Sequence, residues 1–163
     1  MKLYHGSFQK VECPRIDMSR KKLDFGQGFY LAKDYEQAKK WAKRFRYNKM
    51  SCIVNTYEIN LEEIKEKYRV KIFDNYDKEW LHFIVEHRKG KIDLKYDVVI
   101  GGIANDKVFD TIELYLNGLL DEESTLGRLK YEQPNWQMCI RSQEIIDKYL
   151  KYRNCEDVSN GSK

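Results

Sequence analysis

The order in which short strand-like runs and amphipathic helical runs follow one another sets the strongest limit on how this chain can fold. Residues 2–5, KLYH, alternate in polarity and predict a strand; a loop with Pro14 follows, and FYLA, residues 29–32, brings a second strand. Next comes a helical pattern. Asp34 with Gln37 three residues on reads as an Asp version of the capping box, and Ala38, Trp41, Ala42 and Phe45 recur at i, i+3, i+4 and i+7. Strands are predicted again at CIVNTYEI, VKIF, YDVVIGG and WQMCIR. Helices are predicted at DKEWLHFIVEHRKG, with Trp80, Leu81, Ile84 and Val85 on one side and Gly90 as the stop, at residues 107–120 after a cap at Asn105 or Asp106, and at SQEIIDKYL. A doubly wound parallel sheet needs regular βαβ alternation, which is missing, so the chain is expected to be α+β.

A length of 163 residues suits one domain, expected to span 1–153, with the polar segment NCEDVSNGSK, residues 154–163, as a flexible tail. A hydrophobic fraction of 42%, with 7 Phe, 12 Tyr and 3 Trp, is too apolar and aromatic for a disordered chain. No run approaches the roughly 18 apolar residues of a membrane span, and MKLYHGSF opens no signal-type apolar region, so the expected location is cytoplasmic, with no membrane partner. Cys13, Cys52, Cys139 and Cys155 form no CxxC and no HExxH is present, so reduced thiols and no metal are expected. The net charge of +4 matters only if concentrated, and Lys39, Lys40, Lys43, Arg44, Arg46 and Lys49 crowd the polar side of the helix after Asp34. That face is either solvated surface or a holder of nucleic-acid backbone.

In LDFGQGFYLA, residues 23–32, two glycines precede an aromatic and apolar run. A dinucleotide fingerprint would need a third glycine and then a helix; here Leu31 stands at the third position and a strand follows, which excludes a phosphate cradle. Gly26 and Gly28 instead permit special backbone angles or close approach just before Tyr30. Taken with the N-terminus, the run LYHGS…LDFGQGFYLA…AKKW resembles the active-site signature of the ADP-ribosyltransferase superfamily, in the His-Tyr-Glu branch that includes poly(ADP-ribose) polymerases and diphtheria-type toxins. The chain is similar to a small stand-alone bacterial member, from a domain-of-unknown-function family.

The resemblance implies a split β-sheet core with flanking helices and NAD as co-substrate, without a metal. It implies that His5 hydrogen-bonds a ribose hydroxyl, that Gly6 offers backbone to the nicotinamide carboxamide, and that Tyr30 stacks on nicotinamide, with Ser7, Gly28, Phe29 and Trp41 completing the NAD contacts. The third motif, usually Glu at the start of a late strand, falls on Gln137 in NWQMCIRS. The catalytic set is thus His5, Tyr30 and Gln137. The chemistry of the residues agrees, since nicotinamide in NAD is a flat cation suited to an aromatic face, and glycosidic cleavage passes through an oxocarbenium-like state. A Gln keeps hydrogen-bond acceptance and loses the charge, so Glu132, Glu122 and Glu123 are alternative carboxylates. Trp41 is open between core packing and ligand contact. The expected activity is mono-ADP-ribosyl transfer to a protein or nucleic-acid acceptor, with NAD glycohydrolysis as a side activity, in a toxin or defence effector with a cognate antitoxin. The alternative is an NAD- or ADP-ribose-binding or protein-interaction module without turnover.

Overall fold

The structure, a computed structural model, describes residues 1–104 and 106–160, with the side chain of Asp106 outside the description. Among the described residues seven strands form, β1 (Lys2–Ser7), β2 (Phe29–Ala32), β3 (Ile53–Glu58), β4 (Val70–Ile72), β5 (Val98–Gly101), β6 (Gln137–Ile140) and β7 (Lys151–Asp157). Six helices accompany them, α1 (Tyr35–Ala42), α2 (Leu61–Lys67), α3 (Lys78–Arg88), α4 (Asp106–Leu116), α5 (Glu122–Leu129) and α6 (Gln143–Tyr149), besides 3-10 turns at Ile16–Met18 and Lys43–Asn48. The architecture is mixed α+β.

Local chemistry explains most helix starts. Asp34, Asn60, Asp77 and Asp121 each accept a backbone N–H from the first turn of the helix that follows, satisfying donors that have no partner within the helix. At Asp34 the bond goes to Glu36, so the cap is a simple one rather than a box built on Gln37. Of the two caps expected before α4, Asn105 lies outside the described residues and Asp106 is already helical. Helix α1 ends at Ala42 and tightens into the 3-10 turn, so Phe45 sits beyond the α-helix. Leu119 lies past the end of α4 and is exposed.

All seven strands join one sheet in the order β4-β5-β6-β2-β1-β3-β7, antiparallel except for β4 beside β5. The strands therefore form one continuous sheet where two small ones were expected. The joint between β1 and β2 is nonetheless thin, with the single registered pair Tyr4–Ala32, whereas β1 and β3 register at six positions from Lys2–Glu58 to Ser7–Ile53. The expected tail is also corrected. Residues 154–157 complete β7, whose backbone pairs with β3, and Val158 is buried; residues 161–163 lie outside the described chain.

Side chains pack in three groups. Leu3, Phe29, Leu31, Tyr57, Met138 and Ile140 form one, with Ile145 and Ile146 of α6. A second, rich in large rings, gathers Phe25, Phe73, Tyr76, Trp80 and Ile84 with α4 and α5. Trp80 is fully buried and donates its indole N–H to the Gly102 carbonyl at 3.0 Å, so its one polar atom is satisfied. The third is small-chained, Ala32, Ala38, Ala42, Cys52 and Val54, beneath α1.

Candidate functional site

The three residues expected to be catalytic, His5, Tyr30 and Gln137, fall on three neighbouring strands, β1, β2 and β6. His5, partly buried on β1, stands against Phe29 with ring centroids 4.5 Å apart. Its Nδ1 lies 2.8 Å from the Tyr30 carbonyl oxygen. A carbonyl only accepts, so Nδ1–H donates, and the neutral ring keeps a lone pair on Nε2. Burial lowers the pKa of His5, opposed by the bond to Tyr30, which favours that neutral form. The bond crosses from β1 to β2 one residue along β1 and two along β2 from their one registered pair.

Tyr30 is held from both ends. Its hydroxyl donates to the Gly26 carbonyl at 2.6 Å and accepts the Phe25 N–H at 3.0 Å, and its ring lies nearly parallel to that of Phe25. Burial pushes its phenol well up, so it stays protonated. Gly26 adopts φ +78°, a left-handed angle that glycine takes without a Cβ clash. Beside it, Gly28 is required by packing: a Cβ there would lie 2.5 Å from Cys139 Sγ and 2.7 Å from the Ile140 carbonyl. Gly6 is in the same position, since a Cβ would fall 2.3 Å from the Ala38 carbonyl oxygen and 2.8 Å from the Ala42 nitrogen. Protein atoms fill the room a Cβ would take at both glycines, backbone at Gly6 and the Cys139 sulfur with the Ile140 carbonyl at Gly28. Burial lifts the Cys139 thiol to about 12, which leaves it inert as a nucleophile.

Strand alternation divides the set. Tyr30 and Gln137 share a face with Ala32 and Cys139, while His5 shares the opposite one with Leu3 and Phe29. Phe29 is a core residue that backs the imidazole, and Ser7 is buried, its hydroxyl accepting the Gln9 N–H at 3.4 Å. Gln137 opens β6 between Ala32 and Gly101, and among the described residues its side-chain amide has no hydrogen-bond partner. Trp41 is not part of the core: it is exposed, with the Arg44 guanidinium 4.5 Å above its ring. Its place on the exposed side of α1 follows from Ala38 and Ala42 taking the inner side.

Of the alternative carboxylates, Glu122 is committed to Lys78 at 3.0 Å and to His82 at 2.5 Å, and both Glu122 and Glu123 sit in the first turn of α5. Glu132 lines a cavity of about 410 Å³ with Tyr76, Lys130 and Pro134. A smaller cavity of about 130 Å³, also touching Pro134, reaches Trp136 and Gly101 next to Gln137. Neither of these two is lined by His5 or Tyr30.

Two supporting groups escaped the sequence reading. Asn55, fully buried on β3, accepts the Val11 N–H at 2.8 Å and donates to the Gln9 carbonyl at 3.1 Å, fixing the loop after HGS. Its signal was an amide inside an apolar strand run. The glycine loop is anchored by charges from α3: Arg88 donates to Asp24 at 2.8 Å, and His87 packs against Gly26 with its Nδ1 2.7 Å from the Phe83 carbonyl. His87 Nε2 comes within 2.9 Å of Asp93 Oδ2 but off the line of a hydrogen bond, and Arg141 donates to the Asp93 carbonyl. These partners are distant in sequence, so no local pattern announced them.

A family profile described as "Protein of unknown function (DUF3990)" matches residues 1–152, nearly the whole chain. The chain belongs to the DUF3990 family. No curated protein and no solved structure matches it. In this DUF3990 chain the match takes in β1, β2 and β6 together, and so every residue of the candidate site. Among the described residues no three His, Cys, Asp or Glu side chains stand where they could hold a metal ion, and no helix is long and apolar enough to cross a membrane.

Proposed function

We propose that the chain is an NAD-dependent mono-ADP-ribosyltransferase with an ADP-ribosyltransferase-like fold, in which the thin β1–β2 joint takes the place of the split between two sheets. The observation that carries this reading is the junction itself: His5 on β1 bonded through Nδ1 to the Tyr30 carbonyl of β2, with the uncommitted Gln137 amide on the next strand, β6. Because His5 and Gln137 stand on opposite faces, NAD in this reading would have to cross the sheet at this joint, where one registered pair holds β1 to β2.

In this reading the His5 Nε2 lone pair accepts a hydrogen bond from a ribose hydroxyl, and the Gln137 amide oxygen accepts another near the reacting sugar. The bond from ribose C1′ to nicotinamide breaks, nicotinamide leaves as a neutral amide, and the acceptor forms the new bond to C1′ while losing its proton. Gln137 cannot take that proton as a carboxylate would; Glu132 is the nearest alternative in the chain, on the segment leading into β6. Tyr30 presents its ring to nicotinamide and its main-chain carbonyl orients His5, while its hydroxyl ties the loop at Phe25 and Gly26.

A second reading, an NAD- or ADP-ribose-binding module without turnover, is favoured by one specific observation, Gln in place of the expected Glu. Two measurements separate the readings. NAD at about 100 times its dissociation constant should stabilise the native state by roughly 2.7 kcal/mol, and labelled NAD should release nicotinamide. Stabilisation without release leaves the binding module; neither effect removes NAD from the account of this protein.

A further inference from the structure

We infer that the acceptor is a single-stranded nucleic acid, held along the outer face of α1 and the 3-10 turn that follows it. The inference rests on the transferase reading for the word acceptor, but the binding face stands on its own observations. Residues 39–49 hold six of the chain's 30 basic residues and none of its 26 acidic ones, which leaves 24 basic against 26 acidic elsewhere. The positive charge of the molecule is thus concentrated in this one stretch. Lys40 and Lys49 are exposed and Lys43 is partly so, and among the described residues none of the three has a carboxylate within ion-pair distance.

The second observation is aromatic. Tyr47 is 90% exposed, Trp41 44% and Phe8 41%, three of the five exposed aromatic rings among the described residues, the other two being Phe109 and Tyr131 elsewhere on the chain. A solvated basic face has no need of exposed rings between the charges, whereas an unpaired strand uses both: cations follow its phosphates, and its unstacked bases cover aromatic faces. A duplex offers the phosphates but keeps its base faces stacked. The face also adjoins the candidate site. Phe8, directly after the HGS run, meets the Phe45 ring at 5.4 Å, and the backbone of α1 lies against Gly6. A strand held there passes the end of β1.

The test is fluorescence anisotropy with a labelled oligonucleotide of about 20 nucleotides, as single-stranded DNA, single-stranded RNA and duplex, without NAD. Three phosphate contacts give a slope near −2 in log affinity against log salt, so affinity for the single strands should fall about 20-fold from roughly 50 to 200 mM salt. Tyr47→Ala should weaken binding at least about fivefold with the slope unchanged. Lys40→Gln with Lys43→Gln and Lys49→Gln should flatten the slope, and equal melting temperatures would show these exposed changes leave the fold intact. Tighter binding of either the DNA or the RNA strand supports the inference and names the sugar. No binding at low salt, a duplex bound as tightly as the single strands, or polyglutamate competing as well as the oligonucleotide would overturn it. Labelled NAD is then added. Label on the oligonucleotide supports the acceptor role, and NAD consumption with an unlabelled oligonucleotide overturns it. Strand binding with no NAD consumption breaks the transferase reading and leaves the binding face standing.

Discussion

The two halves of the sheet are built on opposite packing rules. On one side of the β1–β2 joint, β1, β3 and β7 carry α1 through small side chains, Ala38, Ala42 and Val54, which let helix backbone come down onto Gly6. On the other side, β4, β5, β6 and β2 are covered by α3, α4 and α5 through Phe25, Phe73, Tyr76 and Trp80, with Asp24 and Arg88 paired near the surface of that core. The small-residue half depends on close backbone approach and the aromatic half on filled volume. His5 stands on the first and Tyr30 on the second, so their hydrogen bond is one link between the halves, beside the Tyr4–Ala32 pair and the packing of Leu3 and Tyr57 on Phe29 and Leu31.

Breaking the aromatic half should have the largest effect. Trp80→Ala removes a fully buried ring and leaves the Gly102 carbonyl unpaired, with an expected loss of about 3–5 kcal/mol in denaturant unfolding. The small-residue half breaks in the other direction, by overfilling. Gly6→Val must push α1 away from β1, at about 1–3 kcal/mol, and should abolish NAD consumption through movement of the adjacent His5. If Gly6→Val instead melts like wild type, the contact between α1 and β1 is not close. Tyr30→Phe sharpens the comparison, because it keeps the ring and removes the hydroxyl that ties Phe25 and Gly26. It should cost about 1–2 kcal/mol of stability yet retain most turnover, whereas Tyr30→Ala should abolish turnover.

Gln137→Glu, at the rim of the aromatic half, should raise NAD hydrolysis by about tenfold, roughly 1.4 kcal/mol in the barrier, while Gln137→Ala lowers it without a change in melting temperature. Unchanged hydrolysis in both variants would move the third motif to Glu132. The smallest effect is a pH dependence at the joint. His5 has a lowered folded pKa, so its stabilising effect is complete above the unfolded value of about 6.5 and is lost as pH falls from there through the folded value, where only the unfolded chain binds the proton. Unfolding curves from about pH 8 to 5 should therefore be shallower in His5→Gln than in wild type, by less than about 1.4 kcal/mol per pH unit.

Much of this was legible locally. The strand runs around Tyr30, Val98 and Met138 and the buried side of α3 follow from apolar periodicity, since each buries its own face. The HGS and GQGFY runs single out His5 and Tyr30, and the strand-like run WQMCIR puts Gln137 at a strand start. Strand β7 was not legible, because a largely exposed edge strand is held by backbone ladder bonds to β3 and needs no apolar alternation of its own. Helix α2 buries one residue within its span, Ile64, too little to print a period. The sequence by itself determined which segments are helix and strand where they have an apolar face, and which residue types stand at the site. Only the tertiary structure decided that one sheet joins all seven strands, that Gly6 and Gly28 are filled by protein, and that His5 reaches the Tyr30 carbonyl while Gln137 stays uncommitted. Those are contacts between positions tens of residues apart, and they form only once packing has chosen which faces meet.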